Sequence, residues 1–231
     1  MHYKINDGII ESELAAKSTR QPNKQVLKYI NTLSSDEVVL DYGCGKLRYT
    51  IPLSKQVKKV VAIDSLEQLS KRQIINGKMM RLLDFYDEAI SIYSIDSVEW
   101  RNQQYDTIFC TNVLSAVPYY IERLQILKNA KSVLKDSGVL FISTQYRNSY
   151  FNTYNERADI QRFIDGWLIP RTNKKYCFYA PITENALSEL CVDAGLQIKK
   201  VFKHDGSCFI IAAKPVDGVQ WLSLIHISEP T

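Results

Sequence analysis

Apolar residues recur along this chain in two spacings: short runs rich in β-branched residues, and longer stretches with an apolar position every three or four residues. Five short runs fall in the first two thirds, Val38 to Asp41, Val57 to Asp64, Ile90 to Ile95, Tyr105 to Thr111 and Val139 to Thr144, the last launched by the turn signal Asp136-Ser137-Gly138. Their length and near-continuous apolar character predict strands buried on both faces. Helical spacing fills the gaps. Ser65 to Asn76 carries Leu66, Leu69 and Ile74 and stops at Gly77, read as a C-cap. Pro118 to Lys135 opens with a proline and places Ile121, Leu124, Leu127, Ala130 and Leu134 on one face. Thr183 to Ala194 starts on an N-cap threonine and ends before Gly195. Two last strands, Gln197 to Phe202 and Ser207 to Ala213, flank the hairpin signal His204-Asp205-Gly206. Strands alternating with helices predict an α/β fold: a seven-stranded, mostly parallel sheet with helices on both faces, closed by a C-terminal antiparallel hairpin. Residues 1–37 form an extension expected to be helical, 38–215 the main domain, and 145–181 an insertion within it.

Composition narrows the class. The 231 residues are 45% hydrophobic and 23% charged, which excludes a disordered chain. A net charge of +4 is too small to argue by itself for a nucleic-acid or membrane partner. No apolar run reaches the ~20 residues of a membrane helix. The first ten residues lack the basic-then-apolar order of a signal peptide, so the expected location is cytoplasmic. Cys44, Cys110, Cys177, Cys191 and Cys208 are widely spaced and never form a CxxC pair, which predicts buried, reduced thiols. His2, His204 and His226 are too scattered for a metal cluster, and no metal is expected. The final ten residues, LSLIHISEPT from Leu222 to Thr231, resemble translated sequencing-adapter sequence and are set aside as non-native.

The chemistry-bearing stretch is VLDYGCGKLRYT, Val39 to Thr50. A strand ends at Asp41, and Gly43 and Gly45 then let the backbone approach a ligand without Cβ interference. A dinucleotide fingerprint would need a third glycine where Arg48 stands, which argues against NAD and FAD. The second strand ends in Asp64, about twenty residues on, where a carboxylate can accept both hydroxyls of a ribose. The third strand is followed by Asp96, placed to meet an adenine amino group.

With these motifs in order, the chain resembles the class I S-adenosylmethionine-dependent methyltransferases, with their Rossmann-like fold, from about Val38 to Lys214. The resemblance rests on DYGCGK, VVAID, YDTIFCTNVL and LKDSGVLFIST. It implies S-adenosyl-L-methionine as cofactor, with Asp41, Tyr42, Gly43, Cys44 and Gly45 along its methionine and ribose portions. It places Asp64 and Ser65 at the ribose, Asp96 and Ser97 near the adenine, and Asn112 and Val113 where the fourth strand opens toward cofactor and acceptor. One departure stands out: many members carry a third glycine two positions after Gly45, and this chain has Leu47.

Methyl transfer from a sulfonium needs positioning and a dry site more than acid–base chemistry, and no residue announces itself as a catalytic base. After the fourth strand stands Thr111-Asn112-Val113-Leu114, not the Asn/Asp-Pro-Pro-aromatic run of DNA amino-methyltransferases, and the Pro-Cys nucleophile of cytosine-C5 enzymes is missing. The insertion holds Tyr146, Tyr150, Phe151, Tyr154, Phe163, Trp167, Tyr176, Phe178 and Tyr179 interleaved with Arg147, Arg157 and Arg171. Such a segment reads equally as a cap over the acceptor or as a small satellite core. Stacking on bases would keep an RNA acceptor open. In many related enzymes the leading segment covers the cofactor, which makes Arg20 a candidate partner for its carboxylate. The expected acceptor is a small molecule. A nucleic-acid methyltransferase and a non-catalytic S-adenosylmethionine-binding module are the alternatives, and the oligomeric state is not specified.

Overall fold

The computed structural model describes residues 2–17 and 21–216. Its main sheet has seven strands: β1 (Val38–Tyr42), β2 (Lys59–Asp64), β3 (Ile90–Ser94), β4 (Tyr105–Thr111), β5 (Leu134–Gln145), β6 (Gln197–His204) and β7 (Ser207–Ala213). Their order is β6-β7-β5-β4-β1-β2-β3, and only β7 runs against the others. Among the described residues six α-helices accompany them: α1 (Lys24–Ile30), α2 (Thr50–Ser54), α3 (Leu66–Ser70), α4 (Tyr120–Val133), α5 (Ser149–Glu156) and α6 (Glu184–Asp193). The α/β sheet closed by a hairpin is the expected fold, with the last turn at Asp205-Gly206, both at positive φ.

Strand alternation divides the core. Val39, Phe109, Phe141 and Phe209 face one side and pack with Val26, Tyr29 and Ile30 of α1 and Leu53 of α2. Their neighbours Leu40, Ile108, Cys110, Leu140, Ile142 and Ile210 face the other side with Leu127 and Ala130 of α4 and Leu187 and Leu190 of α6. Tyr29 stacks on Phe141 at 4.4 Å between ring centroids. Each fully buried phenylalanine contributes roughly 1.5–3 kcal/mol, so the period-two pattern alone pins the register of these strands. The strand order reverses at β1, whose neighbours are β4 and β2. The connections leaving β1 and β4 therefore diverge and open a crevice at their carboxyl ends.

The expectations fail locally in four places. The leading segment, read as helical, begins with strands His2–Ile5 and Gly8–Glu11 and a 3-10 turn, Ser12–Ala15, before α1. These strands join three from the insertion, Gln161–Phe163, Gly166–Pro170 and Lys175–Tyr179, in a second, five-stranded sheet. The two chain regions meet in parallel through Lys175↔Ile9 and Tyr176↔Ile10. Second, the helix expected over 65–76 stops at Ser70, and Gln73–Ile75 pairs with Lys78–Met80. Asn76 and Gly77 hold φ of 46° and 83°, so the Gly77 read as a C-cap is half of an Asn-Gly hairpin turn. Third, α4 buries Arg123, Ile126, Leu127, Ala130 and Val133, while Ile121 is exposed. Fourth, β5 starts at Leu134, so the expected turn at 136–138 is strand.

Arg123 explains the rotated face of α4. Its guanidinium donates to both oxygens of Asp165, at 2.5 and 2.9 Å, and to the Val117 carbonyl at 2.7 Å. A buried cation held by a bidentate carboxylate ties the insertion to the main domain, and each partner needs the other. The aromatic insertion is largely a satellite core: Phe151, Ile160, Trp167, Ile169, Cys177 and Tyr179 cluster together, with Leu14, Ala15 and Tyr154 against them.

Candidate functional site

The crevice at the ends of β1 and β4 is a cleft holding about 980 Å³ of space, its open mouth included, which suits a nucleoside-sized ligand. Its floor is the loop after β1. Gly43 and Gly45 have φ of 76° and 59°, and the backbone N–H groups of Gly43 and Cys44 both donate to the Ile63 carbonyl, at 2.9 and 3.0 Å. A Cβ on Gly43 would lie 2.5 Å from Val113 Cγ2, so the loop passes β4 at glycine distance. Leu47 also takes a left-handed φ, 61°, at the position where a glycine is expected. That conformation costs an L-residue roughly 1–2 kcal/mol. Complete burial against Cys44, Ala62, Leu69 and Leu82 offsets it. At ordinary φ an alanine variant outlasts a glycine variant. Here Leu47→Gly should unfold at a urea midpoint no lower than Leu47→Ala, because both lose the same contacts and only glycine relieves the strain. A clearly lower midpoint for the glycine variant would show that the strain is not there.

Two carboxylates flank the loop. Asp64 accepts from the Gly45 N–H and the Ser65 N–H, both at 2.8 Å. Asp41 is 1% exposed and accepts the Thr50 hydroxyl at 2.6 Å. Burial raises both from an ordinary 3.8 to about 6, while their hydrogen bonds pull in the opposite direction. Ser65 caps α3 through a bond from Gln68 N–H to its hydroxyl. Tyr42 and Cys44 also line the cleft, yet their side chains are buried: Tyr42 sits edge-on to Trp100 at 5.8 Å, and burial pushes the Cys44 thiol well up. Asn112 and Val113 form the β4 side of the cleft. Asn112 holds φ 59°, and its buried Oδ1 has no hydrogen-bond partner.

The structure thus brings Asp41, Tyr42, Gly43, Cys44, Gly45, Asp64, Ser65, Asn112 and Val113 around one cleft. Asp96 and Ser97 stand outside the lining, where Ile95 represents the end of β3. The chain turns there, with the Asp96 and Ser97 N–H groups donating to the Ser94 hydroxyl and carbonyl. Arg20 and the Leu222–Thr231 tail lie outside the described residues.

Residues from two neighbouring strands of the second sheet complete the wall: Ser12, Glu13, Ala15, Ala16 and Lys17 follow strand Gly8–Glu11, and Tyr179 ends its partner Lys175–Tyr179. Gln145 at the end of β5 joins them, because its Oε1 accepts from Lys17 Nζ at 2.9 Å and from the Tyr179 hydroxyl at 2.8 Å. Burial pushes the Tyr179 phenol up, so it remains a donor at neutral pH. His2, given no role from sequence, reaches Glu13 Oε1 at 2.6 Å. Among the described residues, none of the insertion's other aromatics lines the cleft. Nor is any helix there long and apolar enough to cross a membrane.

Comparison with known proteins agrees with this architecture. Residues 14–201 match the family model described as a methyltransferase domain. The uncharacterized protein YmfD of Escherichia coli (strain K12) is 32% identical over 213 residues, covering 91% of this chain and 95% of that one. A ubiquinone biosynthesis O-methyltransferase from Histophilus somni is 26% identical over 55% of this chain and 54% of its own. A 23S rRNA (uracil-C5)-methyltransferase from Psychromonas ingrahamii is 31% identical over 33% of this chain and only 18% of its own. Among solved structures, a S-adenosylmethionine-dependent methyltransferase from Methanosarcina mazei superposes with a TM-score of 0.57 at 21% identity, over 84% of this chain and 98% of that one. The chain belongs to the methyltransferase domain family, and its fold is that of the S-adenosylmethionine-dependent methyltransferases.

Proposed function

We propose that the protein is an enzyme that binds S-adenosylmethionine in this cleft and methylates an oxygen or nitrogen of a small-molecule acceptor. The observation that carries the reading is the cradle itself: a glycine loop that a single Cβ would block, facing a carboxylate held in place by two backbone N–H groups. When bound, the cofactor supplies an electrophilic methyl on a sulfonium. Asp64 would take the ribose hydroxyls, the Gly43–Gly45 backbone would run beside the methionine portion, and Asn112 would orient groups at the junction with the acceptor. Tyr179 and residues 12–17 would keep water out. Burial holds the Tyr179 phenol protonated, so this wall supplies no phenolate base and the site favours acceptors that are nucleophilic without one.

A small acceptor is favoured over RNA because four of the insertion's aromatics are spent in its own core. Phe151, Tyr154, Trp167 and Tyr179 pack on one another, and Arg157 pairs with Asp159 at 2.6 Å. Those four rings leave bases little face to stack on. The test is calorimetric titration of S-adenosylmethionine and its demethylated product, S-adenosylhomocysteine, followed by labelled-methyl transfer to small amines, hydroxylated acids and total RNA. Transfer to RNA alone would overturn the acceptor class, and binding without transfer to any acceptor would favour the binding module.

The raised carboxyls add a pH signature. An ionised carboxylate accepts ribose hydroxyls more strongly than its acid form, so affinity for S-adenosylhomocysteine should climb as pH rises through about 6 and then level off. Fold stability runs the other way. The folded state holds these protons more tightly than the unfolded one, so stability declines between pH 3.8 and about 6 and is flat above. Ligand titrations and urea melts at matched pH would show the two opposed slopes, and parallel slopes would contradict the assignment.

A further inference from the structure

The hairpin that pairs Gln73–Ile75 with Lys78–Met80 through the Asn76-Gly77 turn has two unlike faces. On the inner face Ile75 is buried with Leu69 and Leu82, in a small core shared with Ala62 of β2 and with Ile90 and Ile92 of β3. Gln73 is buried beside it, donating to the Gln68 carbonyl at 2.8 Å and accepting from Gln68 Nε2 at 3.0 Å. Gln68 also donates to the Gly45 carbonyl, which ties the hairpin to the cofactor loop. Side chains alternate across a strand, so the outer face takes Ile74 and Met79, direct cross-strand partners, with Arg72 and Arg81 following at the base. Ile74 and Met79 are 54% and 57% exposed, and both arginines are exposed as well. The tip stands clear of the rest of the chain: a Cβ on Gly77 would meet nothing within 4 Å. Leu66 and Leu83 add exposed apolar surface on α3 and on the 3-10 turn Leu82–Asp84. Apolar side chains gathered this way mark a surface that another phase or partner covers.

Charge decides what covers it. From Gln68 through Leu83 the chain carries four cations, Lys71, Arg72, Lys78 and Arg81, and no acid. Lys71 turns toward the cleft wall, where its ammonium donates to the Glu13 carbonyl at 3.0 Å. Arg81 donates to both oxygens of Asp84, at 2.7 and 2.8 Å. Arg72 acts on that same carboxylate, so one acid serves two arginines, and among the described residues Lys78 pairs with no acid. A protruding apolar tip ringed by surplus cations complements a surface that is anionic outside and apolar beneath. A folded partner would need a groove shaped to the tip, whereas a bilayer needs none. We propose that this hairpin docks the protein on an anionic lipid surface, with Ile74 and Met79 entering the headgroup boundary while Arg72, Lys78 and Arg81 meet lipid phosphates. The contact is peripheral, since the apolar tip is far too short to cross a bilayer.

The test is cosedimentation of the full chain with vesicles of phosphatidylcholine alone and of phosphatidylcholine mixed with phosphatidylglycerol. The anionic vesicles should bind at least about tenfold more tightly, and high salt should remove most of that difference. Ile74→Ser combined with Met79→Ser should weaken binding to the anionic vesicles about tenfold, and so should Arg72→Gln combined with Lys78→Gln. Ile121→Ser removes an isoleucine of α4 that is 71% exposed, and it should leave binding unchanged. Every substituted side chain is exposed, so thermal midpoints should match the native one and keep a folding defect from passing as lost docking. Equal binding to the two kinds of vesicle overturns the proposal, as does no sedimentation with either. Native-like binding by the Ile74→Ser, Met79→Ser chain overturns it as well, because charge alone would then account for the attraction. If sedimentation velocity without lipid shows a native dimer that the same double variant splits, a second copy covers this face and the lipid assignment falls.

Discussion

Gly43→Val should abolish measurable cofactor binding and lower stability by about 2–4 kcal/mol, the range of strain plus overpacking at one site. Two effects add. The backbone at Gly43 has φ of +76°, which a β-branched residue adopts only under strain, and the new Cβ would meet Val113 Cγ2 at 2.5 Å. Val113 is a stiff, short side chain at the start of the β4 connection and cannot swing away as a lysine tip could. Relief therefore has to come from the backbone, which is tied to Ile63 by two hydrogen bonds. Gly45 is the control. Its φ is +59°, but a Cβ there meets only Ala16 Cβ at 3.6 Å, an ordinary contact. Gly45→Ala should thus pay strain alone, roughly 1–2 kcal/mol, and keep part of its affinity for S-adenosylhomocysteine. Paired urea melts and calorimetric titrations would read both quantities. Equal affinities for the two variants would mean that the ligand does not approach the loop at Gly43.

These positions were legible because their signals are local. Alternating apolar residues in β1, β4, β5 and β7 place each phenylalanine on one face whatever the rest of the chain does. Glycines between a strand and a turn announce a close approach. The Asn76-Gly77 turn was equally visible in the letters, but a glycine after a helical run also fits a C-cap, and pairing of Gln73–Ile75 with Lys78–Met80 decides between them. The wall of the cleft was not legible. Strands of four residues, such as Gly8–Glu11, carry no periodicity of their own, and their partner Lys175–Tyr179 lies at the other end of the chain. Glu13, Lys17 and Tyr179 reach the site only through that closure, as Arg123 becomes buried only because Asp165 arrives from the insertion. Asp96 shows the converse: the right residue type at the right distance along the chain, carried outside the lining by a turn at Ser94.

Asp64→Ala should separate binding from folding more cleanly than any other substitution in this chain. In the native protein the carboxylate fixes two backbone N–H groups and lines the cleft. Two charge-assisted hydrogen bonds to ribose hydroxyls are worth roughly 1.5–3 kcal/mol each before compensation, so losing both should weaken S-adenosylhomocysteine about 100-fold or more. Stability should barely change. Above pH 6 the ionised carboxylate is held at a cost, as its raised pKa of about 6 records, and the alanine removes that cost along with the two backbone contacts. Asp64→Asn isolates the charge. It keeps an oxygen for one N–H and loses the second acceptor, so its affinity should fall between native and alanine and no longer vary with pH near 6. A pH-dependent affinity surviving in Asp64→Asn would transfer the titration to Asp41, the other carboxyl raised to about 6 on this floor. Unaltered affinity in Asp64→Ala would remove the ribose site from the end of β2 altogether.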